Sequence, residues 1–192
     1  MNFLSECIAD FYIKRQIIKS EDREIYKAGI ELILNEAFTF LLVLLIAGVF
    51  FKILYGILFL TVFCLTRMFC GGFHAKTTLV CRGTMLITFL SVILFSYMLK
   101  NSCIVVLIII LVISFAVLLP LIPVKHPNKI LSDEMRKRNR RSGVVTYIVF
   151  SVCSIILFLF SKQNGILMTL SLVAVTVLAL IGRIINERRI LQ

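Results

Sequence analysis

The sequence predicts an all-α fold: a polytopic membrane helix bundle of about six transmembrane helices, preceded by an N-terminal amphipathic helix. Three observations carry that reading. Of 192 residues, 60% are hydrophobic and only 16% are charged, with a mean hydropathy of +1.02, more apolar surface than a soluble core could hide. The apolar residues gather into runs at roughly 30–51, 53–66, 84–99, 103–122, 144–161 and 166–182. The connections between the runs alternate between strongly basic and nearly uncharged. The chain reads as a single integral membrane domain over residues 1–192, with segments 67–83 and 124–143 as its basic loops and 183–192 as its tail.

Residues 1–27 mix Phe3, Leu4, Ile8, Phe11, Tyr12, Ile17 and Ile18 with regularly spaced charges, a pattern close to one helical face. Such a helix lies on the inner leaflet or caps the bundle, and the pattern fits both. The start does not resemble a cleaved signal, because charges recur up to Glu36 before a long apolar run begins. Within Lys27-Ala28-Gly29-Ile30-Glu31, Glu31 is followed one turn later on the same face by Asn35. An ionisable residue at the start of a membrane helix usually turns toward the bundle interior or a polar cavity. Glu31 is therefore either a supporting active-site residue or an interfacial anchor paired with a cation such as Arg67. Glu36 falls on a different face and is expected at the headgroups.

Several runs are shorter than the roughly 20 residues that cross a bilayer core, so they must borrow flanking residues or enter without crossing. The second is the shortest, and it leads directly into Gly71-Gly72. Residues 67–83 are thus expected to be partly embedded, which a membrane tolerates only where protein covers the irregular backbone or a polar cavity receives it. The runs 84–99, 103–122 and 144–161 carry no charge at all, which argues against a transporter or channel with a conduction path.

Charge sets the expected orientation. Lys14, Arg15, Lys19, Arg23 and Lys27 precede the first run, and Arg67, Lys76 and Arg82 lie in the second connection. Lys125, Lys129, Arg136, Lys137, Arg138, Arg140 and Arg141 lie in the fourth, and Arg183, Arg188 and Arg189 in the tail. The alternate connections hold only Lys52, Lys100 and Lys162. The positive-inside rule then places both termini and both basic segments in the cytoplasm. The net charge of +11 is accounted for as a topology signal, and no nucleic-acid partner is implied.

The segment with chemical content is Arg67-Met68-Phe69-Cys70-Gly71-Gly72-Phe73-His74, which runs on to Cys81. A cysteine becomes a strong nucleophile when an imidazole draws off its proton, so His74 and Cys81 form a candidate catalytic pair. Gly71 and Gly72 would let the chain turn or a substrate backbone approach. On one continuous helix, seven residues return to the same face but stand about 10.5 Å apart along the axis, too far for a hydrogen bond. The chain must therefore bend between Ala75 and Val80, or a helix must start there, with Thr77 or Thr78 as its cap. Spacing alone leaves two alternatives open. His74 could be an interfacial residue and Cys81 a packing thiol, or Cys70, His74, Cys81 and His126 could bind zinc, although no C-x-x-C or H-E-x-x-H arrangement supports a metal. Cys7, Cys64, Cys103 and Cys153 read as structural thiols.

The Arg67–Cys81 stretch, with its Gly-Gly-x-His-Ala core and a cysteine seven beyond the histidine, closely resembles the accessory gene regulator B (AgrB) family of bacterial membrane cysteine peptidases. Ala28-Gly29-Ile30-Glu31 is similar to the family's polar position in its first membrane helix. Ile122-Pro123-Val124 and the basic segment after it are similar to the connection between the fourth and fifth helices. The resemblance implies a multi-pass protein of the bacterial cell membrane. It also implies an enzyme that cuts an AgrD-like quorum-sensing propeptide through an acyl-enzyme thioester and promotes ring closure to a thiolactone or lactone. Cys81 would be the nucleophile, His74 its base, and Arg67, Gly71 and Gly72 the surrounding motif positions. A homodimer and contact with membrane lipids are further expectations, and no metal or organic cofactor is implied. Arg136, Lys137, Arg138, Arg140 and Arg141 have two readings, contact with anionic lipid or capture of an acidic precursor tail. A non-enzymatic membrane scaffold for a signalling peptide is the competing function, and it would tolerate loss of Cys81.

Overall fold

The structure, a computed structural model, describes residues 2–70, 78–122 and 133–190; side chains are described from Leu4 and, beside the two gaps and at the C-terminus, over 79–122 and 134–185. Among the described residues there are seven α-helices and no strand. They are α1 (Asn2–Lys14), α2 (Arg23–Phe50), α3 (Ile53–Cys70), α4 (Thr78–Met98), α5 (Ile104–Leu118), α6 (Asp133–Phe160) and α7 (Lys162–Ile190). All of α2–α7 coincide with the six apolar runs, and five helices are long and apolar enough to cross a membrane. The exception is α5, whose 15 residues span about 22 Å at 1.5 Å per residue. Pro120, two residues beyond its end, opposes a longer helix.

Short connections dictate the packing. Phe51 and Lys52 alone separate α2 from α3, and Ser161 alone separates α6 from α7, so each pair is forced side by side. At the α6–α7 corner the backbones nearly touch. A Cβ on Gly165 would lie 2.5 Å from Cβ of Phe158 and 2.6 Å from its Cα and N, separations no real side chain adopts, so this position excludes any residue but glycine.

The bundle is organised around α7. Its apolar window is 67% buried, against 22–39% for the other spans, and it packs on α3, α4, α5 and α6. Leu167, Leu172, Val175 and Ala179 supply its core side, and Phe59, Phe63 and Phe89 meet them from α3 and α4. Some of the hydroxyls buried with them bond between helices. Ser114 and Thr176 join α5 to α7 at 2.8 Å, and Gln163 donates to Ser96 at 2.9 Å to join α7 to α4, as an environment without water requires. Ile87, Leu94, Val112, Ile113, Ile148 and Val152 remain exposed on the outer faces, which is where hydrocarbon would contact a membrane bundle.

The helices extend beyond the apolar runs, and this changes three sequence expectations. All of the described part of 67–83 is helical, α3 continuing to Cys70 and α4 described from Thr78. The described half of 124–143 is likewise helix rather than loop, because α6 starts at Asp133. Asp133 and Glu134 suit the positive N-terminal end of a helix, and Met135–Arg141 contains no breaker. The region 183–190 continues α7 instead of forming a separate tail.

The N-terminal helix does not stand apart. Its Ser5 and Ala9 are fully buried, and two ion pairs fix it to the first turns of α2. Lys27 donates to Glu6 at 2.6 Å and Arg23 to Asp10 at 2.8 Å. These hydrogen bonds hold both carboxyls below their ordinary values of 4.5 and 3.8. Their contribution is therefore complete above those values and is lost as the pH falls through the lowered ones. Gln16 ends the helix at φ 55°. Its N–H reaches the Ile13 carbonyl while the Ile17 N–H reaches that of Tyr12, the paired closure of a Schellman motif. Leu4, Phe11 and Ile17 are left exposed, an apolar edge suited to a membrane interface.

Candidate functional site

Three helix ends converge at the basic end of the bundle. The chain reverses between α2 and α3, so the start of α2 and the end of α3 lie together, and α4 returns to the same level. Cys81 lies on the first described turn of α4, which runs Thr78–Met98. Thr84 and Thr88 fold their hydroxyls back onto the carbonyls of Val80 and Thr84 at 2.7 and 2.6 Å. That satisfies the hydroxyls within the helix and lets its polar start continue as an apolar span. Partial burial of Cys81 leaves its thiol reachable.

The Cys81 side chain faces α2. Its Sγ lies 3.9 Å from Oε1 of Glu36, within range of a long hydrogen bond from sulfur. Next to it Arg82 donates to the side-chain carbonyl of the buried Asn35, and its guanidinium stands 5.0 Å over the Phe38 ring. The two helices are thus joined by neighbouring polar contacts, Glu36 with Cys81 and Asn35 with Arg82. On α3, Arg67 stacks 5.5 Å over Phe63, in the last turn of that helix and at the same end of the bundle. A thiol, a carboxylate and a guanidinium from three helices therefore share one region at the border of an otherwise apolar bundle.

His74, Gly71, Gly72 and His126 lie outside the described residues. Arg67 lies in the last turn of α3, at the same end of the bundle as Cys81. Glu31 is half-buried on α2, five residues before Glu36, which is about 7.5 Å along the helix. The carboxylate that contacts the sulfur is Glu36, which the sequence pattern assigned to the headgroups. The pattern judged the two faces of α2 from that helix alone, without the position of α4, so it did not foresee this contact. One signal was available: a carboxylate inside an apolar run is functional by default. Cys70 is fully buried, and a Cβ on Gly143 of α6 would lie 3.2 Å from its Sγ, the contact of a packing residue. Among the described residues no three His, Cys, Asp or Glu side chains are grouped to hold a metal ion. Arg136, Lys137, Arg138, Arg140 and Arg141 are exposed on the first turns of α6, at the same end of the bundle as Cys81 but not in described contact with it.

The arrangement can hold a thiol at a membrane border beside a cation that would steady a developing negative charge. That is a fitting environment for acyl transfer. The sequence model of the family described as accessory gene regulator B matches residues 5–181. No curated protein and no solved structure matches the chain.

Proposed function

We propose that this chain, which belongs to the accessory gene regulator B family, is a membrane-embedded cysteine endopeptidase. The family assignment places it in quorum-sensing peptide processing, with an AgrD-like propeptide as its partner. The observation that carries the finer reading is the position of Cys81: on the first described turn of a membrane helix, partly accessible, at the end of the bundle where Arg67 lies in the last turn of α3.

In the proposed reaction His74 takes the thiol proton of Cys81, and Sγ attacks the scissile carbonyl carbon. Arg67 and the amides around Gly71 and Gly72 oppose the charge that develops on the carbonyl oxygen. The C–N bond breaks, the amine of the departing C-terminal half receives the proton from His74, and the signal half remains as a thioester on Cys81. A thiol or hydroxyl of that half then attacks the thioester carbonyl. The acyl group moves to it, the C–S bond breaks, Cys81 recovers its proton, and the peptide leaves as a thiolactone or lactone. Exchange between two thiols is near balance, so the thioester must be kept from water until the ring closes. A site at the edge of the apolar bundle favours this.

The positive-inside rule supports placing both termini and this site in the cytoplasm, and Arg136, Lys137, Arg138, Arg140 and Arg141 would then face a precursor made there. Vesicles with the basic end outward should cleave an added AgrD-like propeptide, whereas sealed vesicles of the opposite orientation should not. Equal cleavage by both would refute the orientation, and absence of cleavage in either would favour a scaffold. In the active vesicles, changing Arg136, Lys137 and Arg138 to Glu should raise the apparent KM, most strongly at low salt. An unchanged KM would reduce these residues to topology signals.

A further inference from the structure

A carboxylate inside a membrane helix requires a reason. Counting back from Phe50, about 20 residues of α2 cross the bilayer core, which places Glu36 more than one turn inside the apolar region. Exposed to hydrocarbon alone, an ionised side chain there is costly enough that such residues almost always face polar partners. Glu36 is exposed on α2, and the partner given by the structure is a sulfur: Oε1 lies 3.9 Å from Cys81 Sγ. The preceding residue on α2, Asn35, binds Arg82, the residue after Cys81. This second contact ties α4 to α2 one residue away, so the approach of Glu36 to Cys81 is accompanied by a partly buried polar contact.

We propose that Glu36 is a further catalytic residue of this site, which accepts the Cys81 S–H in the resting enzyme and holds the sulfur toward α2. The inference rests on the peptidase reading. Before substrate arrives, the thiol proton is directed at the Glu36 carboxylate, and a negative neighbour opposes negative charge on sulfur. The resting thiol is thereby kept from indiscriminate reaction. When His74 takes the proton and Sγ becomes acylated, sulfur no longer donates, and Glu36 has no competing bond to the thioester.

The test is the alkylation rate of Cys81 by iodoacetamide at neutral pH in the full chain in vesicles. It is resolved by the mass of the Cys81 peptide, with exposed Cys103 at the opposite end of the bundle as the internal reference. Glu36→Gln keeps the shape and an acceptor but removes the charge, and it should raise the Cys81 rate about tenfold relative to Cys103. Glu36→Asp, which keeps the charge, should stay much nearer the wild-type rate. A Cys81 rate indifferent to Glu36→Gln in a normally inserted chain overturns the proposal. The readout needs no propeptide, so the two readings fail separately. Faster alkylation without cleavage by any variant upholds the contact and refutes the peptidase, while cleavage that needs Cys81 but an alkylation rate indifferent to Glu36→Gln does the reverse.

Discussion

Changing Cys81 to Ser, or His74 to Ala, is expected to lower propeptide cleavage by about a thousandfold or more while the protein still accumulates in the membrane. The magnitude follows from the way a nucleophile and its base act as one unit: losing either removes nearly the whole covalent route. Accumulation is expected because Cys81 is only partly buried at the start of α4, so serine removes little packing. The assay is conversion of precursor per unit of membrane-inserted protein. Near-normal conversion by either variant would exclude the cysteine-peptidase reading. A chelator added to the wild-type enzyme should leave conversion intact, and an activity lost to chelation and restored by zinc would instead support the metal alternative built on Cys70, His74, Cys81 and His126.

Gly165→Val should have the largest effect on stability, because the side chain would enter the Phe158 backbone, with Cβ 2.5–2.6 Å from three of its atoms. Overpacking typically costs about 1–3 kcal/mol, and with backbone as the obstacle the upper end or more is expected. Relief would require α6 and α7 to part at their one-residue connection. As α7 is the hub of the bundle, the loss should spread to every helix that packs on it. A thermal unfolding midpoint in detergent would measure this, with Gly48→Ala as the control. No atom lies within 4 Å of the added Cβ at Gly48, so that change should be neutral or stabilising by up to about 1 kcal/mol. A Gly165→Val chain as stable as wild type would mean that the α6–α7 corner is not packed as described.

How much of this was legible in the sequence depends on whether the controlling force was local. The cores of α2–α7 were, since burial in an apolar medium marks long runs directly. The helical extensions were not. Charged residues such as Arg136–Arg141 form helix readily but lack the apolar signal that the runs were drawn from, so the start of α6 was read as loop. The helix of Cys81 was legible in part: the spacing allowed either a bend or a helix start between Ala75 and Val80, and α4 is described from Thr78. The carboxylate partner was not. Choosing between Glu31 and Glu36 requires knowing where α4 crosses α2, a tertiary fact that the contacts of Asn35 and Glu36 with Arg82 and Cys81 supply. The docking of α1 was hidden for the same reason, because Glu6 and Asp10 find their partners in a different helix.

The central claim is that Cys81 carries an acyl group during the reaction. The direct measurement is the mass of the Cys81-containing peptide after the full-length protein has been incubated with a propeptide whose ring-closing residue has been replaced by alanine. Without that internal nucleophile the thioester should accumulate. The account predicts that Cys81 gains the mass of the signal half less one water, and that hydroxylamine, which cleaves thioesters, removes it. Cleavage of the propeptide with Cys81 unmodified throughout, or with the adduct on another cysteine, would contradict it.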